Sequence, residues 1–237
     1  MKILALESSG LVASAAVVSE DKVIGEYSTN FRKTHSQTLL PMADAVLKMT
    51  DTDIREIDAI AVSGGPGSFT GLRIGSATAK GLGLALDKPI VNVPTLEALA
   101  WNIFGTDALI CPIMDARRNQ VYTAVFEYQD DRLKAVSPQE AVPIETIVEK
   151  LNAYGRRVVF LGDGVPVFRD KIQEIIKVPC SFAPINLCVQ RAGTLGAAAV
   201  QYYREGRVET ADEHHPDYLR PSQAERERAE REKGKKA

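Results

Sequence analysis

Two acids stand where apolar strands end. Glu7 closes the run Ile3-Leu4-Ala5-Leu6, and Asp115 closes Leu109-Ile110-Cys111-Pro112-Ile113-Met114. Each is followed by a turn (Ser8-Ser9-Gly10 and Ala116 to Asn119) and a returning strand, so two hairpins of one plan would set their acids face to face across a cleft. Carboxylates in that arrangement can hold a metal–nucleotide complex. Gly162-Asp163-Gly164, opening a later helix, would lie beside the adenosine. Glu7, Asp115, Gly162 and Gly164 are therefore the nucleotide-binding candidates, weighed against the ordinary capping role of acids at strand ends. Other chemistry is sparse. His35, His214 and His215 are the only histidines, and none stands at the i, i+4 spacing that presents two imidazoles to one metal. No serine occupies a G-x-S-x-G elbow and no cysteine lies near a motif histidine. On these grounds no catalytic residue, metal site or cofactor is expected.

The stretch Gly64-Gly65-Pro66-Gly67-Ser68-Phe69-Thr70-Gly71-Leu72-Arg73-Ile74-Gly75 follows an apolar strand and opens a long helix. A helix N-terminus at a glycine turn can receive an oxyanion, with Ser68 or Thr70 as cap. It is not a Walker A loop, because Leu72 and Arg73 stand where Lys and Ser/Thr are needed. It also lacks the spacing of a dinucleotide fingerprint. Within the helix, Gly71, Gly75, Ala79 and Gly83 fall on one stripe. A helix-interior glycine costs roughly 1 kcal/mol against alanine, so the stripe needs a reason. Two stand open: it packs on the chain's own sheet, or part of the face meets a helix of another chain.

The elements that must position these residues repeat. Strands Ile3–Glu7, Val12–Val18 and Lys22–Thr29 read as a meander, followed by a helix (36–49), strand Ile57–Val62, a helix (72–86), strand Ile90–Val93 and a short helix (96–104). A similar order restarts with strands 109–115, 120–128 and 132–136, helix 144–151 and strand 158–161, and helix 192–203 closes back onto the first half. Two related halves result: a first lobe of residues 1–104 with the returning helix 192–205, a second of 105–191, and a tail of 206–237. From Gln223 onward the tail is a run of alternating charge without an apolar stripe, expected to be a solvated helix.

With 237 residues, 45% hydrophobic and 25% charged, the chain has the composition of a globular protein that buries a core. A net charge of −2 argues against autonomous nucleic-acid binding. Cys111, Cys180 and Cys188 are odd in number and form no CxxC pair, which fits a reduced cytosol, and neither a signal sequence nor a membrane span is expected.

Ile3 to Ser9, Ser63 to Gly75 (SGGPGSFTGLRIG), Asp115-Ala116-Arg117 with Val121-Tyr122, and Tyr218-Leu219-Arg220-Pro221-Ser222-Gln223-Ala224-Glu225 together resemble the TsaB, or YeaZ, family of bacterial tRNA threonylcarbamoyladenosine biosynthesis. The resemblance implies an α/β, two-lobed fold like actin, Hsp70 and sugar kinases, each lobe an RNase H-like mixed sheet with helices. It also implies a non-catalytic cytoplasmic subunit that pairs with TsaD, works with the ATPase TsaE, forms homodimers when alone and meets tRNA only through the complex. The family's interface helices correspond to 36–49 and 72–86, where Leu39, Met42, Val46, Arg73, Ile74, Ala77 and Thr78 are the candidate contact residues. The alternative reading is an ATP-dependent phosphotransferase or ATPase of the same fold, using Glu7 and Asp115.

Overall fold

The computed structural model describes residues 1–31 and 33–220. Strands β1 (Lys2–Glu7), β2 (Ala13–Ser19) and β3 (Val23–Thr29) form the antiparallel meander. Helix α1 (His35–Met49) leads to β4 (Ala59–Gly65), parallel to β1, and helix α2 (Phe69–Leu86) leads to β5 (Ile90–Pro94), parallel to β4. The sheet order is β3-β2-β1-β4-β5. After α3 (Thr95–Ala100) the plan repeats with β6 (Leu109–Asp115), β7 (Gln120–Gln129), β8 (Arg132–Pro143), α4 (Ile144–Tyr154), β9 (Val158–Leu161), α5 (Val165–Ile175) and β10 (Cys180–Phe182). Its order, β10-β9-β6-β7-β8, is that of the first sheet read from the other edge. The chain is thus two RNase H-like lobes, the actin-like class. Strand β10 was not expected; at three residues it is too short to leave a period.

Both faces of the first sheet are covered, which is why β1 reads as continuous apolar sequence instead of alternating. Leu4 and Leu6 pack under α1 and α2 with Leu39, Met42, Val46 and Ala79. Ile3 and Ala5 face the other way, against Leu195, Ala198 and Ala199 of α6 (Ala192–Arg204). In the second lobe α4 and α5 cover one face through Ile147, Val148 and Phe168. Its other face meets Leu96, Leu99, Ala100 and Ile103, so α3 and the residues after it join the lobes through shared apolar burial.

Residues 206–220, the first part of the tail, pack onto the first lobe. Glu209 exchanges backbone hydrogen bonds with Ile90 at 2.8 and 2.9 Å, Ala211 and His214 are buried, and the Asp217 N–H donates to the Gly64 carbonyl at 2.6 Å. The segment crosses α2, held by Lys80 Nζ on the carbonyls of Asp212 and His214, and ends where Arg220 donates to the Ala116 carbonyl of the second lobe at 2.7 Å. The charged run from Gln223 lies outside the described residues.

Candidate functional site

Glu7 does not face Asp115. Its carboxylate is sealed in the first lobe, accepting from the backbone N–H of Ser9 at 2.7 Å, from the Ser9 hydroxyl at 2.6 Å and from the Ser63 hydroxyl. Burial pushes its pKa up, and those donors, with the positive charge of His35, pull against it. The sequence places an acid at this strand end; β4, distant in sequence, supplies the partner that turns it inward.

A cleft of about 390 Å³ does open between the lobes, lined by Ser9, Ser68, Asp115, Arg117, Asp163 and Arg220 among others. Asp115 is engaged locally: the Arg117 backbone N–H donates to it at 2.8 Å and the Arg117 guanidinium at 3.2 Å. Gly162 and Gly164 do not line the cleft. Gly164 N–H donates to the Ile113 carbonyl at 3.0 Å, and a Cβ on Gly162 would fall on the same carbonyl, so this turn packs against β6. The residue sequence reasoning passed over is Asp163, which does reach the cleft. Burial, and then the negative charge of Asp115, raise its pKa from 3.8 to about 6, and its Oδ1 is buried without a partner among the described residues. The histidines lie on separate partners: His35 at the Gly10 carbonyl, His214 at Glu209, His215 at the Glu213 carbonyl. The Cys111 thiol is pushed up to about 12 by burial and is no nucleophile.

The glycine turn owes its composition to crowding within the lobe. A Cβ on Gly71 would strike the Ser8 carbonyl, one on Gly67 the Ser9 carbonyl, and one on Gly75 the Ser8 hydroxyl. Gly65, at φ 123°, leaves room for the carbonyl of Asp217. Ser68 caps α2, its hydroxyl accepting from Gly71 N–H at 3.3 Å, while the Ser8 hydroxyl donates to the Gly71 carbonyl at 2.9 Å. Of the two reasons left open for the stripe Gly71, Gly75, Ala79 and Gly83, the inward one holds for all four, which are buried.

The same orientation corrects the contact residues expected on α1. Leu39, Met42 and Val46 are 1%, 4% and 5% exposed and belong to the first lobe's core. The exposed residues of α1 include Leu40, Pro41, Asp44, Lys48 and Met49, and Asp44 and Lys48 pair at 2.7 Å. On α2, Arg73 and Ala77 are exposed and Ile74 and Thr78 half-buried. Gly81 and Leu84 continue that face: Leu84 is 62% exposed, and among the described residues nothing lies within 4 Å of where a Cβ on Gly81 would stand. Where α1, the turn after it and α2 meet, a groove of about 730 Å³ runs between Leu40, Asp44, Leu47, Ile54 and Leu82. A wheel drawn from Gly81 would have found this second stripe, since residues 73, 77 and 81 lie about 200° round from 71, 75, 79 and 83.

The geometry is shared with known proteins. A Bacillus subtilis (strain 168) protein described as "tRNA threonylcarbamoyladenosine biosynthesis protein TsaB" is 36% identical over 234 residues, 95% of this chain and 96% of its own length. Its namesake from Escherichia coli (strain K12) is 30% identical over 93% of this chain and 95% of its own. The solved structure of YeaZ from Pseudomonas aeruginosa superposes with a TM-score of 0.80 at 25% identity, covering 92% of this chain and 99% of that one. Residues 22–228 match the family model "TsaD: tRNA N6-adenosine threonylcarbamoyltransferase". With nearly the full length of the chain matched in sequence and in fold, the chain belongs to the TsaB (YeaZ) family of tRNA threonylcarbamoyladenosine biosynthesis proteins.

Proposed function

We propose that this chain is the non-catalytic subunit in forming N6-threonylcarbamoyladenosine beside the tRNA anticodon. It docks on and activates the related transferase TsaD through the outward face of α1 and α2, works with the ATPase TsaE, pairs with itself when alone, and acts in the cytoplasm, meeting tRNA only in the complex. Gly81 carries this reading. It is an exposed glycine in the interior of an 18-residue helix, at a cost of roughly 1 kcal/mol that no contact among the described residues explains. A missing side chain between Ala77 and Leu84 lets a second helix approach closely. The groove at Leu40 and Leu82 extends the face toward the standard interface of about 1,600 Å².

The test is Ala77→Glu in the full chain, assayed for co-elution with TsaD and for threonylcarbamoyladenosine formation. Both are expected to fall at least about 100-fold, as when an unpaired charge is buried at the centre of an interface. Undiminished pairing would show that the wrong face has been assigned. Calorimetry with ATP and magnesium on the chain alone addresses catalysis: no heat is expected, and tight binding lost in Asp115→Ala would favour the phosphotransferase reading.

A further inference from the structure

Three side chains from two distant segments meet at the N-terminal end of the outward α2 face. The rings of Phe69 and Tyr218 stack with centroids 4.2 Å apart and planes at 24°. The Arg73 guanidinium lies 4.3 Å from the Phe69 centroid, and its Nε donates to the Tyr218 hydroxyl at 3.3 Å. Tyr218 is itself delivered by its neighbours, since Asp217 is tied to Gly64 and Arg220 to Ala116. The cluster therefore fixes a long, otherwise mobile side chain at the surface.

Its remaining capacity is specific. Nε is used, and the terminal N–H groups of Arg73 have no acceptor among the described residues. Elsewhere on the two helices Asp44 pairs with Lys48, and Lys80 donates to two backbone carbonyls. A stacked guanidinium is planar, weakly hydrated and already ordered, so it loses little freedom on binding. Its geometry fits a carboxylate held by two parallel hydrogen bonds.

We propose that Arg73 is the polar anchor of the partner interface and takes a carboxylate presented by the transferase, with Tyr218 as its positioning residue. The inference rests on the assignment of the α1–α2 face made above, and charge complementarity selects the occupant: an acidic side chain opposite a guanidinium whose terminal N–H groups have no acceptor among the described residues.

The experiment measures affinity of the full chain for the transferase at two salt concentrations. Arg73→Leu is expected to weaken binding about 30-fold and to flatten its salt dependence. Arg73→Lys does not restore it, because an ammonium lacks the planar fork. Tyr218→Phe keeps the ring stack and removes only the hydroxyl; a loss of about 3- to 5-fold is expected, with the chain's melting temperature unchanged. If Arg73→Leu binds like the unaltered chain while Ala77→Glu still abolishes pairing, the anchor is refuted and the face survives; if both bind normally, the face itself is misassigned. Loss confined to self-association would give the site to a second copy and overturn the proposal. So would an Arg73→Leu effect that vanishes once Glu225 and Glu227 are replaced by Gln, because the chain's own acids would then occupy the guanidinium.

Discussion

On its inward side α2 carries Gly71, Gly75, Ala79 and Gly83; on its outward side it carries Arg73, Ala77 and Gly81. Both stripes are rich in small residues, and the surroundings separate them. Inward, the Ser8 and Ser9 turn presses its carbonyl and hydroxyl oxygens against the helix, so a methyl group has no place to go at Gly71 or Gly75. Outward, Gly81 meets no atom of the described residues. Small residues by themselves therefore report a close approach without saying by what. Only the surrounding atoms distinguish a stripe fitted to its own lobe from one that meets none of it.

The contrast can be broken first with charge. Val46→Glu puts a carboxylate into the first lobe's core and is expected to cost more than about 4 kcal/mol, enough to leave the chain unfolded in a urea titration. Ala77→Glu, on the outward side, should stay within about 0.5 kcal/mol in the same titration. Gly71→Ala is next, at about 2–3 kcal/mol, because the Ser8 backbone must move to admit the methyl group.

Asp163 supplies a comparison away from the helix. Its folded-state pKa, raised to about 6 by burial and then by Asp115, means that the native state holds this proton more tightly than the unfolded chain. The favourable contribution is full below the ordinary value of 3.8 and declines as pH rises through about 6. Asp163→Asn should accordingly stabilise the protein by about 2–3 kcal/mol at pH 7.5 and by almost nothing near pH 3.5, read from melting curves at the two pH values. A smaller change has the opposite sign to Gly71→Ala: Gly81→Ala should stabilise the isolated chain by roughly 0.5–1 kcal/mol while weakening its pairing with the transferase. Stabilisation with unchanged pairing would remove the reason given for that glycine.

Much of the scaffold could be read directly. The repeated hairpin, the Ser68 cap, the α2 span and the closing helix left local signals, because turns, caps and periodic apolar residues act over a few positions. The sites were harder. Leu39, Met42 and Val46 look like any apolar helix residues until β1 and β2 are laid beneath them. Glu7 looks available until Ser63, 56 residues away, closes on it. Tyr218 belongs to a recognisable motif, yet its stack on Phe69 depends on a segment returning across α2 from the far end of the chain.

Family, the two-lobed repeat and the existence of a small-residue helix were thus legible in the order of residues alone, since they rest on local propensity, spacing and motif, whereas the strand order of the two sheets was not. Which side of that helix is spent on its own lobe, which acid is sealed and which lines the cleft, and where Arg73 is held were decided only by tertiary structure. Those outcomes depend on contacts between positions tens to more than a hundred residues apart. Burial and crowding arise only when such positions meet.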